Sequence, residues 1–215
     1  MYRVKYTKEG MIKFISHLDL IRLWHRAFRR AGIRLRMSQG FSPHPIMAFG
    51  PPLAVGVESR CELLDAALVD RLSPHEVRKK LSQAVPAGIT IRDVCLISDR
   101  AESICSRMNQ ATYELVLESG CEEEVRAKIA AANAAEDLVI RKKTKKGLRY
   151  RDIKPLIKEL RVGGDGTRGV RVHFTVSIGE TGNVNCFELL RAVLGWPEER
   201  IKKLQVKRMA LSSFH

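Results

Sequence analysis

Arg22, Arg26, Arg29 and Arg30 stand at i, i+4, i+7 and i+8 in a segment of helical period, which sets four guanidinium groups on one stripe. Arginine forks grip phosphate oxygens in pairs, so such a stripe suits a nucleic-acid backbone. The plainer alternative is a solvated helix face. Arg34 and Arg36 carry the basic character into the next segment. A second cluster lies in "RKKTKKGLRYRDIKPLIKELR", residues 141–161, where Lys142, Lys143, Lys145, Lys146, Arg149 and Arg151 surround Tyr150. Gly147 marks a hairpin tip. A basic hairpin with one aromatic fits a phosphate backbone and one stacked base. The alternative is a solubilising loop.

Two histidines invite a catalytic reading. His17 opens a helix beside Asp19, and His44 lies within "SPHP". Together they could serve as general acid and base in RNA cleavage, or share a metal with Asp19. A histidine at a helix start is more often a hydrogen-bonding residue, and no second carboxylate stands at ligand spacing. The expectation is therefore no catalytic residue, no metal and no cofactor, with His17 and His44 as the weak candidates. The phosphate-loop, dinucleotide, zinc-protease and nucleophile-elbow motifs are absent from the sequence. So is a three-cysteine cluster for an iron–sulfur centre. In "SQGFSPHPIMAFG", Gly40 permits a turn, while Pro43 and Pro45 hold the chain extended around His44. Ser16, His17, Asp19, Gly40, Phe41, Pro43, His44 and Pro45 are expected to form one motif pocket. There His44 and its backbone meet the same ligand as Arg22 and Arg26, as a binding element.

The totals agree with a polyanion partner. The 215 residues carry a formal charge of +14, with 38 Lys and Arg against 24 Asp and Glu, and such a surface meets nucleic acid, a ribosomal surface or an acidic membrane. Aromatics are only 6%, which argues against broad stacking platforms. The five cysteines are odd in number and lack C-x-x-C spacing, so reduced thiols are expected. "MYRVKYTKEG" is not a signal peptide, and no long apolar run is present. The expectation is a cytoplasmic protein with no membrane partner.

These residues need elements to position them. "YRVKYTKEG" alternates as a strand and "MIKFI" continues it. Ser16 caps a helix through Ala31, whose inward face is Leu20, Trp24, Ala27, Phe28 and Ala31, closed by Gly32. "IRLRMS" reads as a strand, and so does "RCELLDAALV". Ser73 and Pro74 start a second helix with Gly88 near its end, and "ITIRDVCLIS" is a strand. After an irregular linker at 99–110 the order repeats: strand "ATYELVLES", an acid-led helix, strand "DLVIRKKT", an ambiguous "DIKPLIKELRV", strand "GVRVHFTVSI", a helix capped by Asn185, and strand "IKKLQVKRMAL". This predicts an α+β protein of two tandem ferredoxin-like (βαββαβ) domains, 1–98 and 111–215, the second bearing a basic hairpin insertion.

The segment from Phe14 to Glu62 resembles the uncharacterised family of radical-SAM-linked proteins. The pattern consists of Phe14, Ser16, His17, Leu18 and Asp19, then the arginine-rich helix, then Gly40, Phe41, Pro43, His44 and Pro45, then Pro52, Leu53, Gly56, Ser59 and Glu62. "RKKTKKGLRYRDIKPLIKEL" is similar to the family's basic run. The resemblance implies an accessory or substrate-binding role, beside a radical-SAM protein, in RNA or ribosome modification. The element order is also similar to that of the CRISPR repeat-processing RAMP proteins, a pseudo-duplication that holds RNA; that is an analogy of fold. The expected function is a basic accessory protein binding RNA (tRNA or rRNA) and working with a radical-SAM partner. A protein-interaction subunit without RNA contact and a metal-independent ribonuclease are the alternatives.

Overall fold

The computed structural model describes residues 1–117, 120–144, 147–163, 169–179 and 182–213, with backbone alone at 142–144. The protein is α+β, and the chain divides into two compact units, Met1–Met108 and Asn109–His215.

The first unit runs β1 (Tyr2–Lys8), a 3-10 turn (Gly10–Phe14), α1 (His17–Arg30), β2 (Met47–Phe49), β3 (Glu58–Ala66), α2 (Pro74–Ala84), β4 (Ile89–Leu96) and α3 (Ile104–Arg107). Its strands pair antiparallel in the order β4–β1–β3–β2. Val4 stands opposite both Leu64 and Val94, so one face collects Tyr2, Val4, Tyr6, Leu64, Ile91 and Val94. Leu20, Leu23, Trp24, Ala27 and Phe28 of α1, with Val77 and Leu81 of α2, cover that face. The edge of Trp24 meets Tyr6 at 4.8 Å between ring centroids, a favoured aromatic geometry.

Both helices start where their caps predict. Asp19 N–H donates to Ser16 Oγ. Ser73 and Glu76 complete a reciprocal capping box around the start of α2. The sheet's other face carries a buried pair, Arg3 opposite Asp65 in register, joined by two hydrogen bonds of 2.7 and 2.8 Å.

Four expectations for this unit need correction. "MIKFI" is a 3-10 turn and not a strand extension: Gly10 has φ +68, and Ile15 N–H returns to the Ile12 carbonyl. "IRLRMS" is extended but forms no strand, because its backbone bonds are divided among separate partners. Arg36 N–H goes to Ala67 and Ser38 N–H to His44, while the Arg36 carbonyl accepts from Ile46. The strand next to β3 is Met47–Phe49 instead. Gly88 is not the end of α2, which stops at Ala84; it has φ +91 in the turn before β4. A Cβ there would lie 2.4 Å from the Glu9 carbonyl oxygen, so the position requires glycine. Within the expected linker, Ile104 is fully buried on the one-turn helix α3.

The second unit runs β5 (Gln110–Leu117), α4 (Glu122–Ala134), β6 (Val139–Thr144), β7 (Gly147–Asp152), β8 (Ile157–Val162), β9 (Val170–Ser177), α5 (Cys186–Leu194), α6 (Glu198–Lys202) and β10 (Val206–Ser212). The antiparallel order is β10–β5–β9–β8, while β6 and β7 form a separate two-stranded sheet. This corrects a further expectation. "DLVIRKKT" is the first limb of the hairpin, and "IKELRV" supplies the edge strand beside β9. The run of charges in "DLVIRKKT" has no place on a half-buried sheet, whereas Leu160 of β8 is buried opposite Phe174. Asn185 caps α5 through Phe187 N–H, and Gly195 ends it at φ +65. Among the described residues, no helix is long and apolar enough to cross a membrane.

Asp65→Ala should cost about 3–5 kcal/mol in urea unfolding, because it strands a buried guanidinium. Replacing both partners with apolar residues of similar volume (Arg3→Met with Asp65→Leu) should recover most of that loss.

Candidate nucleic-acid interface

The hairpin β6–β7 presents the expected basic cluster on a defined frame. Its register sets Val139 opposite Asp152, Arg141 opposite Tyr150, Lys142 opposite Arg149 and Lys143 opposite Leu148. Side chains alternate along a strand, so Val139, Arg141, Leu148 and Tyr150 share one face, and Ile140, Arg149 and Arg151 share the other. Every residue of β7 is exposed; Tyr150 retains 70% of its surface.

The base of the hairpin is fixed. Ile140 is buried, and the Asp152 carboxylate accepts from Leu138 and Lys154 N–H, each at 2.9 Å. These two backbone donors hold the Asp152 carboxyl below its usual range. Arg151 donates to the Asn183 carbonyl at 3.2 Å. Among the described residues, the side chains of Arg141, Arg149 and Tyr150 have no polar partner. Lys142 and Lys143 are placed by backbone register alone, and Lys145 and Lys146 lie outside the described residues.

The arginines of the first unit divide differently from the single stripe expected of them. Arg30 donates twice to the Ala84 carbonyl, at 3.1 and 2.6 Å, and so closes the C-terminal end of α2. Arg34 is bidentate to Asp70, Arg36 meets Asp99 at 3.5 Å, and Arg22 meets Asp19 at 3.1 Å. Arg26 and Arg29 are exposed and have no polar side-chain partner among the described residues. The stripe therefore reduces to these two, with Arg22 in a surface ion pair that a phosphate can displace at little cost.

The motif residues fall into two groups. In the first, Ser16 Oγ donates to Asp19 Oδ2 at 2.7 Å, and His17 meets the Phe49 ring edge-on at 5.6 Å. His17 lines a cavity of about 10 Å³ with Tyr6, Lys8, Leu20, Phe49 and Glu62, the scale of one water molecule. In the second, the 38–44 loop is closed by its own ends. Ser38 N–H donates to the His44 carbonyl at 2.8 Å, His44 N–H donates to Ser38 Oγ at 3.1 Å, and His44 Nδ1 lies 2.9 Å from that oxygen. Gly40, Phe41 and Pro43 are exposed, Phe41 completely, and Pro45 is half-buried.

The cavity lining contains His17 but neither His44, Asp19 nor Arg22. The structure thus brings His17 to a sheet-side cavity and leaves His44 on a surface loop. Lys8, buried like Glu62 of the family pattern, is not singled out from the sequence. Its signal is a charge on the inward phase of an alternating strand: Lys8 follows Tyr2, Val4 and Tyr6 at every second position.

None of the five cysteines forms a disulfide. Burial raises the thiols of Cys105, Cys121 and Cys186, the last to about 12, away from the reactive thiolate. Among the described residues no cluster of His, Cys, Asp and Glu is arranged to hold a metal ion.

Residues 1–186 match the family described as "Uncharacterized protein conserved in bacteria (DUF2344)". The chain belongs to this family. No curated protein matches it. Among solved structures, one described as a "putative glycine cleavage system transcriptional repressor" aligns over 99% of this chain and 97% of its own, at 9% identity and a TM-score of 0.23. A likeness at that level carries no functional argument.

The Asp19 carboxyl is held below its usual value, first by the Ser16 hydroxyl and then by Arg22. A depressed carboxyl stabilises the fold fully above its ordinary value, and that contribution is lost as pH falls through the lower folded value. Ser16→Ala should therefore move the Asp19 titration upward, toward 3.8, when followed by carboxyl NMR. It should also cost about 1 kcal/mol in urea unfolding through loss of the cap.

Proposed function

We propose that the chain is a basic accessory protein that binds RNA, tRNA or rRNA, or a ribosomal substrate, and presents it to a radical-SAM partner. The observation that carries the RNA reading is the hairpin. A ribbon with an anchored base, an exposed second strand, and Arg141, Arg149 and Tyr150 without a polar partner among the described residues is suited to a polyanion that also offers rings to stack. The net charge of +14 supports it. The radical-SAM partnership rests on the sequence resemblance alone, dense from Phe14 to Glu62 and looser in the basic run that starts at Arg141.

The strand orders also support a finer reading of the fold. Taking the four sheet strands of each unit in chain order, both units pair them fourth, first, third, second, all antiparallel. That is the ferredoxin-like order, with a helix after the first and after the third strand. We read the chain as a tandem duplication of this fold, similar to the RAMP arrangement.

A second reading, a protein-interaction subunit without RNA contact, is favoured by one observation. Met11, Phe14, Leu18 and Phe41 expose large apolar side chains on the first unit, a feature of protein-binding surfaces.

Gel-shift titration with tRNA and rRNA fragments separates the two. The RNA reading expects binding that weakens steeply with salt. Arg141→Ala and Arg149→Ala should each lower affinity and flatten the log–log salt slope by about 0.7–0.9. Absence of binding at low salt overturns this reading in favour of the protein-contact one.

A further inference from the structure

The hairpin does not stand clear of its unit on both sides. Val139, Ile140, Arg141 and Leu148 face Glu188, Arg191 and Ala192 of α5 across a groove of about 700 Å³. That volume lies within the range of small-ligand sites. The lining combines apolar wall from Val139, Leu148 and Ala192 with two guanidinium groups, one from each side. Arg191 is 3.6 Å from Glu198 in a surface pair with both side chains substantially exposed, so it can turn to a stronger anion at little cost. Tyr150 is opposite Arg141 in register and hence on the same hairpin face as Arg141 and Leu148.

We infer that this groove takes a nucleotide of single-stranded RNA, with its phosphate held between Arg141 and Arg191 and its base laid against Leu148 and Tyr150. The inference rests on the RNA reading above and narrows it. Arginine forks match phosphate oxygens, and an apolar wall beside an aromatic accepts the face of any base. Glu188 places one carboxylate in the same lining. It turns the phosphate toward the arginines and offers an acceptor to a base N–H. A paired helix cannot enter a groove of this volume, whereas a splayed base can, which is the usual mode of side-chain recognition in RNA.

The test uses the full chain and two fluorescein-labelled probes, a single-stranded RNA decamer and a fully paired RNA duplex, read by anisotropy at low salt. The variants are Arg191→Gln and Leu148→Ser in the groove and Arg149→Ala on the opposite face of the hairpin. Circular dichroism confirms that each is folded. Loss of one stacked base corresponds to roughly a tenfold drop in affinity. Each groove variant should lose about that much for the single strand and less than twofold for the duplex, while Arg149→Ala weakens both. If Arg191→Gln and Leu148→Ser bind the single strand as the unaltered protein does, while Arg149→Ala weakens it, the groove assignment falls and the RNA reading stands. If the unaltered protein binds neither probe, the RNA reading falls and takes the groove with it.

Discussion

An excess of 38 basic over 24 acidic side chains is the constraint on which this structure turns. Like charges repel, and a chain so biased is stable only if many cations find partners within the fold. The first unit uses carboxylates where it has them: Asp65 takes Arg3, Asp70 takes Arg34, and Asp99 takes Arg36 together with the terminal ammonium. Carbonyls take other cations, with or without a carboxylate beside them, as Lys128 has Glu124. Arg30 closes α2 on Ala84, Lys154 closes α4 on Ala132 and Asn133, and Lys128 donates to Leu194 at the end of α5. Helix C-termini are suitable acceptors because their last carbonyls lack partners and carry the negative end of the helix dipole. Cations without a polar partner among the described residues are then informative, and Arg141 and Arg149 on the hairpin are among them.

The sequence made the local determinants legible. Ser16, Ser73 and Asn185 are caps in the fold because a short side-chain oxygen ahead of an apolar helical run satisfies the first free N–H groups whatever lies elsewhere. The inward stripe of α1, from Leu20 to Phe28, follows from the helical period in the same way. Gly147 opens the second limb of the hairpin, paired with Thr144, at φ +111, a conformation that favours glycine.

What the sequence left illegible depends on neighbours distant in the chain. "IRLRMS" alternates like a strand, yet Ala67 and His44 claim its hydrogen-bonding groups separately, and the sheet position goes to Met47–Phe49. "DLVIRKKT" and "IKELRV" compete for one edge of the second sheet, and burial of Leu160 against β9 decides it. Gly88 has the composition of a helix stop, but its role is to let Glu9 approach; only the folded distance reveals this. The arginine stripe divides for the same reason. Helical spacing put Arg22, Arg26, Arg29 and Arg30 on one side, but it carried no information about the Ala84 carbonyl that claims Arg30.

A histidine between two prolines invites a chemical role, and here its position argues for a geometric one. His44 supplies its carbonyl, its N–H and its Nδ1 to Ser38, so the 38–44 loop is tied at its neck from both sides. Pro43 and Pro45 remove backbone freedom on either side, which lowers the entropy lost in keeping the loop shaped. The result of that rigidity is seen at Phe41, whose ring is held entirely in solvent and not folded back onto the core. A chain that only needed to turn here would not require so constrained a neck, nor place an aromatic at its tip. In this geometry His44 ties the neck of a loop that holds an exposed ring.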